Sequence, residues 1–513
     1  MVIGILQRGV SVALLFAFAS VFTTEAGAVI HFVKPGGTGS GTSWEEAGPL
    51  QATVTAAAAG DEVWVAAGTY TATQNPVLIM KEGVALYGGF LVGAISGEER
   101  NWTANPTIID GENVRGCVRG ANSARLDGFT ITHGKWTALG GGLSNDAVSP
   151  TVANCTFTGN WGGYGGAIYN YSASPVITDC IFNDNYSDWD GGAIYNELSS
   201  PEISGCLFNR NTSLRRGGGM YNNAALPEVS DCIFMTNTAA VSGGGMYNEE
   251  ASPIVSRCSF EGNIAERGAG MYICEESVPI VSHCTFILNV ADFSGGGIGN
   301  ISSSPTVIAC KILDNMANQE NGGGINNVNA SLIMKNCLVA GNTAQKRGGG
   351  IYNELSTVLN ITQCTITANI TTTEKGGGIY NLQSEPEITN CILWGNFSLD
   401  GQLSNIEENQ VSEVTFSCIG NGYAGTGNID SDPLFLDVSG GDFRLQAGSL
   451  CIDTGTDINM PDDDIQGIPR PQGSGYDMGA YEYIEGTPHP ADLNENYRIV
   501  MSEAISYLSG WQQ

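Results

Sequence analysis

The chain has 513 residues, a net charge of −31 and only 14% charged side chains. An acidic surface of this kind repels nucleic acid and anionic lipid, and no basic tail or Lys-rich run offsets it, so a nucleic-acid partner is excluded. Seventy glycines do not suit an array of helical repeats, because glycine is costly in helix interiors and favours turns.

Residues 1–28 read as a secretory signal peptide. Arg8 supplies the positive start, Val10 to Phe22 the apolar centre, and Ala26-Gly27-Ala28 the small-residue cleavage site. The apolar run is short for a membrane anchor, and no later segment is apolar enough to cross a bilayer. A secreted or outer-surface protein with no transmembrane span after signal cleavage is expected, as a monomer.

Residues 29–139 are expected to form an N-terminal cap and the first coils of a solenoid. Within them Leu50 to Ala58 predicts a short capping helix, since an open solenoid end would bare core and strand edge. The stretch 86–136 is less regular than the later repeats and gathers Asp110, Glu112, Arg115, Arg119, Arg125, Asp127 and Lys135. A lyase-like site, with an Arg or Lys base beside an Asp-bound calcium, would lie there. Hydrolysis wants two carboxylates facing one groove, whereas Asp179, Asp188, Asp190 and Glu202 are scattered over turns with no cluster.

Residues 140–420 form the regular body. Cysteines recur at 155, 180, 206, 232, 258, 284, 310, 337, 364, 391 and 418, with one gap of 25, then five of 26, then four of 27. Only Cys117, Cys274 and Cys451 fall outside this register. A fixed period of this length marks a repeat array. Two residues after the cysteine stands Phe157, Phe182, Phe208, Phe234, Phe260 or Phe286. Three further on stands Asn160, Asn185, Asn211, Asn237, Asn263, Asn289, Asn315, Asn342, Asn369 or Asn396. A Gly-Gly pair and then, in many repeats, a proline complete the unit. No stretch carries a helical period, whereas short alternating runs bounded by Gly, Asn and Pro are strands. The prediction is an all-β, right-handed parallel β-helix with coils of about 26 residues, in which equal positions stack at strand spacing. Cys and Phe then point inward and Asn forms ladders at a bend. The cysteine column reads most simply as small buried hydrophobes. Disulfides between neighbouring coils and a metal site are the alternatives left open.

Alternation also predicts an outer column. If Ile194 and Asn196 point inward, Tyr195 points outward, and the same position holds Tyr169, Tyr221, Tyr247, Tyr272, Tyr352 and Tyr380. Arg216, Arg267, Arg347 and Lys375 precede the glycine pairs. Aromatic rings beside cations suit a polysaccharide or cell-surface glycan, and equally suit a ladder that stabilises the rod. The histidines His31, His133, His283 and His489 occupy unrelated positions, which argues against a His-based triad. Gly-Gly-Gly runs such as 217–219 lack the Lys-Ser/Thr of a phosphate loop and read as turns.

Residues 421–485 are expected to supply the C-terminal coils and a cap, and 486–513 a linker and tail. Asp492, Asn494, Asn496, Arg498 and Glu503 stand at the offsets of one calcium loop like that of an EF-hand or dockerin, with Tyr497 where that loop has glycine. Calcium is thus the one cofactor expected. The alternative is an acidic cap on a small C-terminal helix from Val500 to Leu508.

Three resemblances accompany these patterns. Gly-Gly-Ala-Ile at 165–168 and 191–194, with Phe-x-x-Asn at 157–160, 182–185 and 260–263, resembles the repeats of polymorphic outer-membrane proteins, which implies a β-helical adhesin. The ten-residue amphipathic strands of that family's exporting barrel do not follow the repeats. His31 to Gly37, Ser43-Trp44 and Gly60 to Tyr70 resemble the first coils of secreted β-helix proteins. Asp432-Pro433-Leu434-Phe435, Asp442 to Leu445, Cys451 to Gly455, Arg470-Pro471 and Asp477 to Glu482 resemble the choice-of-anchor Q region of such proteins, which implies surface attachment without assigned catalysis. Together these point to a secreted or surface β-helix that is non-enzymatic and adhesin-like or glycan-binding. A pectate lyase-like enzyme and a structural surface rod remain as alternatives.

Overall fold

The computed structural model describes residues 28–356, 358–399, 401–458 and 460–485. The signal segment up to residue 27 therefore lies outside the described residues, as does the tail with Asp492, Asn494, Asn496, Arg498 and Glu503. The described residues form a parallel β-solenoid whose coils contribute short strands to four parallel sheets of 15, 14, 10 and 13 strands, here called the first to fourth in the order one coil visits them. One coil runs Glu202–Ser204, Leu207–Asn209, Thr212–Ser213 and Met220–Asn223. Register is strict: Ile203 pairs with Val229, Phe208 with Phe234 and Asn222 with Asn248.

The corners explain why the strands are so short. Each ladder cysteine follows one residue in the left-handed conformation, among them Asp179, Asp231, Arg257, His283 and Ala309, with φ between 51 and 55°. A second such residue precedes each ladder asparagine, including Asp184, Arg210, Thr236 and Ala368. One left-handed residue turns the chain sharply with no loop, and side chains other than Gly, Asn and Asp accept strain there.

The interior is built from files of like residues. Phe157, Phe182, Phe208, Phe234, Phe260 and Phe286 stack with centroids 4.4–5.2 Å apart. Asn160 to Asn396 form a continuous hydrogen-bonded file; Asn211 Nδ2, for instance, donates to Asn237 Oδ1 at 2.9 Å. A second file runs from Asn145 through Asn170, Asn196 and Asn222 to Asn248, breaks at Ile273, and resumes at Asn300. The break leaves Asn248 Nδ2 buried without an acceptor.

All fourteen cysteines are buried free thiols. Along the ladder the Cys206 N–H donates to the Cys232 sulfur at 3.4 Å, while the Cys206 thiol donates to the Ser204 carbonyl at 3.3 Å. Cys418 departs from its expected place. Ser417 fills the rung beside Cys391, whose N–H donates to Ser417 Oγ at 3.0 Å, and Cys418 pairs with Ile392 on the outer side. Among the described residues no group of three or more His, Cys, Asp or Glu could hold a metal ion.

The helix Leu50–Ala56 buries Leu50 and Val54 in the end of the main core. No described helix is long and apolar enough to cross a membrane. Beyond Ile419 the chain leaves the coil path. An antiparallel hairpin, Phe435–Asp437 with Asp442–Leu445, and the segment after it fold back over the outer face of the second sheet. There Ala480 N–H donates to Thr365 Oγ1 at 3.0 Å and Gly479 N–H to the Asn390 carbonyl at 2.7 Å. Leu338, Ile392 and Cys418 are buried beneath this clasp.

Candidate functional site

The fourth sheet carries the outer tyrosine column. In Ile194–Glu197 the side chains alternate, so Ile194 and Asn196 face the lumen while Tyr195 and Glu197 face out. Tyr169, Tyr195, Tyr221, Tyr247 and Tyr272 stack with centroids 5.0–5.5 Å apart, and Tyr352 with Tyr380 at 5.8 Å. Gly299 and Asn326 occupy the two intervening rungs and divide the column.

The expected open stripe is a covered one. Tyr195, Tyr221, Tyr247 and Tyr352 are only 7, 4, 5 and 2% exposed. Rings at strand spacing hide each other's faces, and the glycine turns lie against them: a Cβ on Gly243 would meet Tyr247 Cβ at 2.7 Å. The hydroxyls are held by carboxylates, Tyr195 to Glu197 at 3.0 Å, Tyr221 to Glu249 at 2.5 Å and Tyr352 to Glu354 at 3.0 Å. Burial pushes the phenols of Tyr169, Tyr195, Tyr221, Tyr247, Tyr272 and Tyr352 up, Tyr169 and Tyr272 to about 12. Only ring edges and flanking charges of this column are open to a ligand.

The cations mostly clamp the column. Arg216 lies 5.2 Å over the Tyr247 ring and pairs with Glu249 at 2.9 Å. Arg347 lies 5.0 Å over Tyr380 and pairs with Glu374 at 2.5 Å. Arg267 lies over Phe293 rather than a tyrosine, at 5.3 Å, and Lys375 reaches Glu407 at 3.5 Å from an exposed position. Beside Arg216, the buried Asp190 carboxylate stands 3.7 Å from Arg215, and its other oxygen has no hydrogen-bond partner. Burial first, against nearby Arg215 and Arg216, holds the Asp190 carboxyl above its ordinary range.

The N-terminal end of this corner is open. Tyr164 packs 4.7 Å from both Trp189 and Tyr195, which joins an exposed ring to the covered column. Trp189 is 41% exposed and Trp161 37% exposed. Lys135 Nζ sits 3.8 Å over the Trp161 ring, whose edge meets Tyr186 at 6.1 Å. The inward–outward alternation argument does not reach these rings, because they occupy the third sheet and the turn after it. Their signal is a tryptophan in each of two successive repeats, at positions that the following repeat fills with Thr212 and Arg215.

The charged residues of the irregular stretch 86–136 do not gather in one place, although Asp110, Glu112, Arg115 and His133 are linked at one corner. Asp127 lies in the first sheet, Asp110 in the second, Lys135 in the third and Arg119 in the fourth. Asp127 is held by Arg100 and Arg125, Glu112 by Arg115, and Asp110 faces His133 at 3.2 Å.

No curated protein matches the chain. Solved structures that align with it include the periplasmic alginate epimerase AlgG, at 10% identity over 69% of this chain and 76% of that one, with a TM-score of 0.39. The Azotobacter vinelandii mannuronan C-5 epimerase AlgE4 A-module aligns at 15% identity over 75% of this chain and 95% of that one, TM-score 0.31. Pectate lyase Pel9A aligns at 14% identity over 90% and 97%, TM-score 0.28. Among family models, the right handed beta helix region matches residues 103–225, and the Chlamydia polymorphic membrane protein repeat matches residues 336–354. In period, register and family match the chain is a right-handed parallel β-helix repeat protein.

Proposed function

We propose that this protein is an exported, non-enzymatic β-helix that binds polysaccharide at the corner between its third and fourth sheets. The observation that carries this reading is the pair of exposed rings Trp161 and Trp189, the second joined to the tyrosine column through the half-buried Tyr164, with Lys135 over Trp161 and Arg215 beside Trp189 on the next coil. Large exposed rings with polar neighbours suit the alternating apolar and hydroxylated faces of a sugar ring. A rod with equivalent positions every coil offers an extended polymer an extended surface. The net charge of −31 favours an uncharged polymer over an acidic one.

Affinity electrophoresis through gels containing neutral glucans, mannans or, as acidic controls, uronate polymers tests this. Retardation by a neutral polymer, lost in Trp161→Ala/Trp189→Ala with an unchanged thermal midpoint, is expected. Retardation by none of them, or retardation that survives the double substitution, overturns the reading.

A second reading, a polysaccharide-degrading enzyme, is favoured by one observation. Asp190 is buried with an unpartnered oxygen, and burial holds its carboxyl above the ordinary range, as a general acid requires. Release of reducing or unsaturated sugar ends that disappears in Asp190→Asn would establish it.

A further inference from the structure

Cys418 and Cys451 stand apart from the ladder thiols. Cys418 projects from the outer side of the last coil, one residue out of the ladder, and Cys451 projects from the clasp that covers it. Both are fully buried in the same apolar cluster with Phe435, Phe443, Leu445 and Met478. The closeness of the two side chains shifts them apart, the Cys418 thiol below its ordinary range and the Cys451 thiol above it, while the Cys418 thiol donates to the Ser431 carbonyl at 3.1 Å. The clasp backbone fixes the approach. Met478 N–H donates to the Cys451 carbonyl at 2.9 Å, and the adjoining Gly479 N–H donates to the carbonyl of Asn390, next to the strand that pairs with Cys418.

We propose that Cys418 and Cys451 form a disulfide that fastens the 435–485 clasp to the last coil of the solenoid. Two thiols enclosed in one cluster on independently directed segments are not fixed at the strand spacing. The ladder thiols cannot. Their Cβ vectors run parallel on in-register strands about 4.8 Å apart, beyond the roughly 3.5–4.5 Å that a disulfide needs. The sulfurs of Cys232, Cys284, Cys310, Cys364 and Cys391 each accept the backbone N–H of the preceding ladder cysteine, whereas the Cys418 thiol donates to the Ser431 carbonyl. Cys274 and Cys117 have other partners, Tyr247 Oη at 3.2 Å and the Thr132 carbonyl at 3.2 Å.

The oxidant is a disulfide, borne by a thiol oxidoreductase or by oxidised glutathione. The Cys418 thiolate attacks one sulfur of the donor and expels a donor thiolate, giving a mixed disulfide. The Cys451 thiolate then attacks the Cys418 sulfur and expels the second donor thiolate. Two protons and two electrons pass from the cysteine pair to the donor, which leaves as a dithiol or two thiols. Since the folded pair is buried, oxidation precedes or accompanies docking of the clasp. The cross-link stabilises chiefly by restricting the undocked state, where the chain between the two cysteines would otherwise be free.

The test uses the full chain folded with oxidised and reduced glutathione, denatured with a thiol alkylator and mapped by peptide mass spectrometry. A linked pair of peptides carrying Cys418 and Cys451, with the other twelve cysteines alkylated, is expected. Reduction should lower the thermal midpoint by several degrees and open the Arg444–Leu445 bond of the clasp hairpin to trypsin. Cys418→Ala/Cys451→Ala should retain the β-sheet circular dichroism of the rod and lose sensitivity to reductant. Fourteen alkylated cysteines, a bridge between ladder cysteines, or equal midpoints with and without reductant in the wild-type chain would overturn the proposal.

Discussion

The guanidinium of Arg216 lies 5.2 Å over the ring of Tyr247 while its Nη1 donates to Glu249 Oε2 at 2.9 Å. Glu249 also accepts from Tyr221, so one arginine and one carboxylate tie two successive coils. Arg216→Ala removes a partly desolvated cation–π contact and one of the two donors to Glu249. The expected cost is about 1–2 kcal/mol in urea unfolding. Arg216→Lys keeps the charge but not the planar stack, and should recover less than half of that loss. Equal stability of all three proteins would show that the tyrosine column holds without its clamp.

Asn237 has a heavier structural task. Its Oδ1 accepts from both the N–H and the Nδ2 of Asn211, at 3.0 and 2.9 Å, and its Nδ2 donates to the Phe208 carbonyl at 2.9 Å and to Asn263 at 3.1 Å. Asn237→Ala strands the Asn211 N–H and the Phe208 carbonyl in a dry interior. A loss of about 3 kcal/mol or more is expected, against well under 1 kcal/mol for substitution of an exposed residue such as Leu226. Asn237→Asp keeps the acceptor but buries a charge, and should be no better tolerated than alanine.

Files of this kind made the architecture legible. Each Cys, Phe and Asn rung answers to an identical rung above it, so stacking writes itself into the sequence as a period. The features that vary along the stack left no such trace. The left-handed corner before each ladder cysteine is filled by Asn154, Asp179, Arg257, His283 and Ala309 in turn, because the coil imposes the conformation and the side chain only accepts it. Alternation gave the outward direction of Tyr195, but its burial depends on neighbouring rings and on the glycine turn lying across them. Spacing placed Cys418 on the ladder because a one-residue shift is invisible to a period that already wanders between 25 and 27. The clasp was hidden for another reason. Its contacts with Thr365 and Asn390 join segments far apart in the chain, and no local pattern records them.

The imposed corners carry a prediction of unusual sign. Ala368 has φ 55°, where its Cβ crowds the following carbonyl, yet it is half-buried and adds little to the core. Ala368→Gly removes a methyl but relieves a strain of about 1–2 kcal/mol, while glycine loses part of that gain through the freedom it has when unfolded. A net stabilisation of about 0.5–1 kcal/mol is expected, seen as a raised urea midpoint at constant slope. A destabilised variant would show that the methyl packs more than it strains.

The clasp should respond to pH through Asp477. Burial lifts its carboxyl to about 7, helped by nearby Glu482 and opposed by Arg470 and by the N–H groups of Asp453 and Tyr483, which its oxygens accept. An unfolded aspartic acid titrates near 4, so between about 4 and 7 the folded state binds the extra proton. Stability must then fall as pH rises through that interval and level off above it. Glu482 is also raised by burial and acts in the same direction. The carboxyls of Asp61, Asp184 and Asp231, lowered by their hydrogen bonds, act in the opposite sense, but below pH 4. Hydrogen exchange of the Met478 and Gly479 amides, which bond the Cys451 and Asn390 carbonyls, reads the clasp directly. After correction for intrinsic exchange, protection at pH 5 should exceed that at pH 8, and Asp477→Asn should reduce the difference while amides of the Asn237 coil remain unaffected. Protection that rises with pH, or a slope that Asp477→Asn leaves intact, would mean that the Arg470–Glu482 pair, at 2.8 Å and fully enclosed, sets the response instead.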